Sequence, residues 1–301
     1  MAARVTHSQP TGFGPRDILV AAMMNILWGL NIVAVKLAVE ATGPFTAAML
    51  RQAIVFIVCA SALRIVPGKM RELIGLGFLS GGVFYVFVNW SLAVSDNVSA
   101  LAIAGQLSVP FSLILAVIFL GERIHIVRIG GIALSFLGVV LLVFDPSAGS
   151  EVTGIALTAA GSFIWALASL IQRRMAGVPV LTIYAWMGLI GTIVLLPLTI
   201  WQEGDVLKAL PTLPLRDFGW IAFSAIGSTI CGHGAMSWLL QRHPITSVVP
   251  LMLASPVISV IAASLFFATP LTPIMIAGGS IALVGVAIVT IRTARAKEHQ
   301  G

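Results

Sequence analysis

The stretch DILVAAMMNILWGLNIVAVKLA, residues 17–38, decides the fold. It shows no alternation of period two, and it is continuously apolar for about the 20 residues that a helix needs to cross hydrocarbon. In lipid a lone strand would leave its backbone groups unbonded, whereas a helix bonds them internally. Nine further runs of the same kind follow, at 45–64, 72–93, 98–120, 125–144, 152–172, 180–201, 217–240, 246–268 and 272–292. Charge, Pro or Gly bounds each one, as at Pro44, Pro67-Gly68, Asp96-Asn97, Arg173-Arg174 and Arg242-His243-Pro244. The pattern predicts an all-α integral membrane protein of ten transmembrane helices.

Composition agrees with that reading. Of the 301 residues 58% are hydrophobic and 9% charged, and the mean hydropathy is +1.05. A soluble domain carries about 25% charged residues, so this chain has too few to cover a water-facing surface, and lipid must be its solvent. Short loops leave no room for a separate soluble domain. Met1 to Arg16 lacks the pattern of a removable signal peptide, so the first run is expected to stay as an anchor. Cys59 and Cys231 lie inside apolar runs, and neither is placed for a disulfide.

The net charge of +6 points to a membrane rather than to nucleic acid, because it is sorted by side. With the N-terminus in the cytoplasm, the inner segments hold Arg4, Arg16, Arg64, Lys69, Arg71, Arg123, Arg128, Arg173, Arg174, Arg242, Arg292, Arg295 and Lys297, against Lys208 and Arg216 outside. Basic residues concentrate on cytoplasmic loops. The chain is therefore expected to be multi-pass in the cell's inner membrane, with both termini cytoplasmic.

The two halves echo each other. Leu27-Trp28-Gly29-Leu30 resembles Ile164-Trp165-Ala166-Leu167; Tyr85 and Trp90 match His233 and Trp238 in spacing; Gly131–Val140 resembles Gly278–Ala287. Five spans per half is an odd number, so the second copy must enter the membrane upside down. Loop chemistry diverges accordingly: Gly121-Glu122-Arg123-Ile124-His125 faces an uncharged Ala268 to Thr272. The expected organisation is a first repeat at 1–145, an inverted second at 151–295 and a cytoplasmic tail at 296–301.

Trp28-Gly29-Leu30-Asn31 with Lys36, Arg51, Gln106, Phe119 to His125, Gly131 to Gly138, and Phe163-Ile164-Trp165 with Arg173-Arg174 carry a likeness to a known group. At these residues the chain resembles the drug/metabolite transporter superfamily, EamA type, and within it the exporters of amino-acid metabolites of the cysteine and O-acetylserine kind. The resemblance implies a small polar metabolite as substrate and a central cavity formed mainly by spans 1, 3, 4, 6, 8 and 9. A Gly-Glu pair that this group often repeats after span 9 is replaced here by Ala268-Thr269.

Polar groups inside hydrocarbon are costly unless they face a cavity or a partner, so each marks a candidate site. Trp28 and Asn31 stand almost one turn apart, and an Asn can both donate to and accept from an amino-acid headgroup. Trp165 is the repeat mate of Trp28. His233, paired with Tyr85, suits substrate contact or proton shuttling, and Trp238 follows on the same span. Gln106 sits one turn before Pro110, which removes a backbone bond and bends the helix; Pro256, beside Ser255, does likewise in span 9. Arg51 either holds a substrate carboxylate or snorkels to the headgroups, and Lys36, nearer a helix end, is expected to snorkel. Asn89 and Trp90 are candidates for an outer gate.

No Asp or Glu lies deep in any span, which disfavours proton coupling through a membrane carboxylate and also efflux of apolar cationic drugs, since such cations need an acid to pair with. A membrane-embedded enzyme would need a His-Glu-x-x-His helix, paired aspartates or a nucleophile with its base, and none can be assembled. A sensor would need an appended domain. No metal or other cofactor is implied, and the expected assembly is a monomer or homodimer.

Overall fold

The computed structural model describes residues 13–121, 125–145 and 151–298, and among these the chain is helical with no strand. The rods are α1 (Pro15–Thr42), α2 (Pro44–Ala62), α3 (Met70–Ala93), α4 (Val98–Leu120), α5 (Ile126–Val143), α6 (Val152–Met175), α7 (Val180–Thr212), α8 (215–240), α9 (245–267) and α10 (Pro273–Glu298). Nine of the helices among the described residues are long and apolar enough to cross a membrane. The exception is α8, which opens on Arg216 and Asp217 and carries Ser224, Ser228, Thr229 and His233 along its length. Arg4, Glu122, Arg123 and the end of the expected tail lie outside the described residues.

Contacts between links sort the chain into two ends. At one end Lys36 Nζ of α1 donates to the carbonyls of Leu92 and Ser95, both at 2.8 Å. There too the Glu203 carboxylate of α7 accepts from the Phe45 and Thr46 amides at the start of α2. Glu151 accepts from the Asp96 and Asn97 amides, and Thr272 bonds Asp145. At the other end Lys69 Nζ donates to Arg174 O, Thr182 to Ala62 O, and Arg128 to Arg292 O, while His243 meets Asp17 at 3.1 Å. Each helix thus runs from one end to the other, and the chain enters at Pro15 and reaches Arg292 at the same end. Large apolar side chains such as Ile18, Ile57, Phe119, Phe144, Trp201 and Leu265 are exposed on the outside of the bundle, where lipid would solvate them.

The halves repeat in their irregularities as well as in their helices. A wide π-helical stretch occupies Gly77–Val83 of α3 and Phe223–Gly232 of α8. The helix tightens at Gly105–Leu107 in α4 and breaks at Met252 and Leu253 in α9. Gly43 after α1 and Gly177 after α6 have φ of 78° and 84°; Gly121 after α4 and Ala268 after α9 have 65° and 50°. Every pair is five helices apart.

Packing obeys the same exchange. α1 rests on α8 and α9 as α6 rests on α3 and α4, while α2 pairs with α7 and α5 with α10. The α5–α10 seam shows the relation at atomic scale. A Cβ on Gly138 would stand 2.4 Å from Gly278 O, and one on Gly285 would stand 2.5 Å from Gly131 O. Only glycine lets these backbones approach so closely. The register is antiparallel, and each glycine faces the repeat mate of its own helix's other glycine. A two-fold axis therefore crosses the seam, perpendicular to both helices.

Candidate functional site

α1 and α2 pack on α8's π-helical stretch. A π turn leaves carbonyls off the regular ladder and recurs at functional sites; here side chains take them up. Trp28 Nε1 of α1 donates to Ser228 O at 3.1 Å, Thr229 Oγ1 donates to Ser224 O at 3.1 Å, and His233 Nδ1 lies 2.9 Å from Thr229 O. A carbonyl can only accept, so His233 carries a proton on Nδ1. Asn31 Oδ1 accepts from Ser224 Oγ at 2.8 Å, which leaves its amide N–H groups for another partner.

Arg51 of α2 enters from the opposite wall. It is 8% exposed, its Nη2 donates to Thr229 Oγ1 at 2.7 Å, and its guanidinium carbon stands 4.7 Å over the Tyr85 ring of α3. The side chain points into protein, not to headgroups, so of the two readings of this arginine the snorkelling one is set aside. Its Nε is buried without a hydrogen-bond partner, and none of the ion pairs among the described residues includes it. A void of about 10 Å³, room for roughly one water, is lined by Arg51, Asn89, Ser224, Ala38, Ala47 and Ile221. The Trp28 ring meets His233 edge-on at 5.1 Å, and the Tyr184 ring of α7 lies 5.8 Å from it.

A second space opens toward Arg173. A cavity of about 270 Å³ is lined by Ser108 and Ser112 of α4, Trp165 and Arg173 of α6, Ile245 and Val249 of α9, and Thr290 of α10. Phe84 links the two regions, its ring 5.0 Å from Tyr85 and 5.1 Å from Trp165. Beyond the Arg51 pocket, toward Lys36, the helices are closed. Val98–Ala104 of α4 packs on Ala254–Phe267 of α9, and the largest apolar cluster, including Val39, Leu92, Leu101, Leu142 and Ile221, fills that end. The molecule is shut at one end and open at the other.

Trp28, Asn31, Arg51, Tyr85 and His233 are brought together, with Trp165 one ring away. The others lie elsewhere. Gln106 bonds back to Ala102 O of its own helix at 3.5 Å, and Ser162 caps the neighbouring Gly105 carbonyl. Trp238 packs near Ala21 and Met24 with Arg242 3.9 Å over its ring. Ser255, Pro110 and Pro256 are buried in α9 and α4. Lys36 does not snorkel: it is 5% exposed, caps the end of α3 and pairs with Glu40 at 3.3 Å. Asn89 donates to Pro44 O, while Trp90 faces outward. Sequence reading missed Tyr184, Ser228 and Thr229; the one available signal was that the chain holds only two tyrosines, both in apolar runs.

Residues 16–144 and again 152–291 match the EamA-like transporter family. The chain belongs to that family. It is a multi-pass membrane transporter, and the family unit occurs twice along it. The transporter is 25% identical over 281 residues, 91% of its own length and 94% of the relative's, to a protein of Escherichia coli (strain K12) described as a probable amino-acid metabolite efflux pump. It is 30% identical over 288 residues, 90% and 97% of the two chains, to an uncharacterized transporter of Archaeoglobus fulgidus. A solved crystal structure shares its fold, with a TM-score of 0.61 at 19% identity over 94% of the transporter and 99% of that chain.

Proposed function

We propose that the transporter exports amino acids or closely related carboxylate-bearing metabolites by alternating access, through a cavity shared by two inverted repeats at 1–145 and 151–295, with a cytoplasmic tail at 296–301. Arg51 carries this reading. A charged side chain near the middle of a membrane helix costs about 2.5–3.5 kcal/mol, and here it is retained with no acid pairing with it among the described residues and a buried donor unspent. A guanidinium presents two parallel donors that match a carboxylate. Around it stand groups suited to an ammonium: the His233 ring, whose Nε2 accepts when the imidazole is neutral, and the Trp28 and Tyr184 rings, whose faces attract cations. Asn31 supplies further donors for the substrate headgroup.

α8 serves as the tenth span in this reading. The open cavity faces the cytoplasm, because Arg64, Lys69, Arg71, Arg128, Arg173, Arg174, Arg242 and Arg292 all sit at that end, and the membrane is the cell's inner one. Broad efflux of apolar cationic drugs fits the site less well, since Arg51 would repel them and no carboxylate offsets it.

Purified transporter in lipid vesicles should give counterflow of labelled amino acids and thermal stabilisation by those same compounds. Losing a charge-assisted pair costs roughly 1.5–3 kcal/mol, so Arg51→Gln should weaken their binding by about 10- to 100-fold. Decarboxylated amines should bind neither form. Equal binding of an amino acid and its amine by the native protein would overturn the assignment.

A further inference from the structure

We infer that Arg51 Nε and Asn89 Oδ1 form a subsite for a neutral hydroxyl, through which the transporter prefers hydroxyl-bearing amino acids to their alkyl isosteres; this rests on the carboxylate reading of Arg51 above. Both atoms are buried without a hydrogen-bond partner in the protein. Their residues are 8% and 2% exposed, and both line the same void of about 10 Å³. The orientation of each group is fixed. Asn89 Nδ2 donates to Pro44 O at 3.0 Å; a carbonyl can only accept, so turning the amide round would set two acceptors together, and the oxygen is the unspent atom. Arg51 is held by the 2.7 Å bond from Nη2 to Thr229 Oγ1 and by the Tyr85 ring against its guanidinium. Thr229 spends its own hydroxyl proton on Ser224 O, so it stays an acceptor for Arg51 and keeps the guanidinium in place.

A donor and an acceptor on one void define its occupant. An ammonium cannot accept from Nε, and a carboxylate cannot donate to Asn89. An alkyl group would leave both atoms unpaired, and a buried polar group without a partner is costly. A hydroxyl accepts and donates at once, and so satisfies the pair. Size points the same way. The rest of the wall includes Ala38, Ala47 and Ile221, which offer no polar side chain, and the Ser224 hydroxyl is already spent on Asn31. The room is for about one non-hydrogen atom. A bound carboxylate takes the terminal nitrogens of Arg51, and a β-hydroxyl lies close enough to its own carboxylate for both to reach one guanidinium. Solvent water has the same chemistry and can hold the place between substrates. A side chain that ends at Cβ leaves that water where it is, whereas a methyl in the hydroxyl's position drives it out and pairs with neither wall.

The test compares serine, alanine and 2-aminobutyrate on the purified full chain, with binding read from thermal stabilisation. Serine and 2-aminobutyrate have like shapes and differ by a hydroxyl against a methyl. The native protein should bind serine about tenfold or more tighter than 2-aminobutyrate, with alanine between them. Asn89→Leu, which keeps the side chain's bulk, should bring the ratio of serine to 2-aminobutyrate close to one. Ethanolamine and propylamine, their decarboxylated forms, test the reading beneath, and each should bind far more weakly than its parent. Equal binding of serine and 2-aminobutyrate by the native protein, with each outbinding its amine, overturns the hydroxyl subsite and leaves the carboxylate reading standing. That comparison needs no variant, so it decides the matter even where Asn89→Leu fails to fold. A serine preference that survives Asn89→Leu also overturns the subsite. If the amines bind as well as the amino acids, the carboxylate reading fails and the hydroxyl subsite falls with it.

Discussion

Arg51 and Lys36 are both cations within apolar runs, and both are buried against protein rather than reaching the headgroups. Arg51 lies far enough from a helix end that a site was a live reading. Along α1 alone Lys36 reads as a snorkelling residue near a helix end, whereas the carbonyls that hold it belong to Leu92 and Ser95, 56 and 59 residues away. Tertiary caps of this sort leave no local trace. Ala268 is a residue whose cost is visible. It takes the left-handed conformation at φ 50° where the first half has Gly121 at 65°, a backbone that favours a residue without Cβ. Ala268→Gly should therefore stabilise the protein by about 1 kcal/mol, read as a higher Tm in detergent. Gly232 makes the opposite case: a Cβ there would stand 2.4 Å from Trp28 Nε1. Gly232→Ala should displace the indole, quench or shift its fluorescence response to amino acid, and weaken binding while the fold survives.

Helix positions were legible from apolar runs alone, because hydrocarbon demands internally bonded backbone. Their irregularities were not. The π-helical stretches of α3 and α8 have no periodic signature, so Ser228 and Thr229 went unread although their carbonyl and hydroxyl build the site. α7 also outruns its apolar run, continuing to Ala209 through a kink at Glu203 that swings the carboxylate onto the start of α2. Gly43 accommodates that carboxylate at φ 78°. At the α5–α10 seam the matched glycines of the sequence turned out to face one another across the axis. Overpacking a tight contact costs about 1–3 kcal/mol, and here the obstructing atoms are backbone, which cannot swing aside. Gly138→Val and Gly285→Val should each lower Tm by several degrees, whereas Gly130→Val, which meets open space, should leave it unchanged.

Among the described residues of the molecule the acids stand at ends and links, with none inside the site described by Trp28, Arg51, Thr229 and His233. Counterflow in vesicles should accordingly proceed without a pH gradient, and His233→Gln should alter affinity rather than gradient dependence; a flux that requires the gradient and survives His233→Gln would contradict this. The arrangement underlying all of these expectations is a bundle made of one five-helix unit used twice, the second time inverted. Pro67 in the α2–α3 link and Thr212 at the end of α7 occupy equivalent places in the two copies, and both are exposed. With Cys59 and Cys231 replaced by alanine, Pro67→Cys and Thr212→Cys variants can be exposed to an impermeant maleimide in right-side-out vesicles. Labelling of Thr212→Cys alone, reversing to Pro67→Cys alone in inverted vesicles, is the expected result; labelling of both from the same face would contradict the inverted fold.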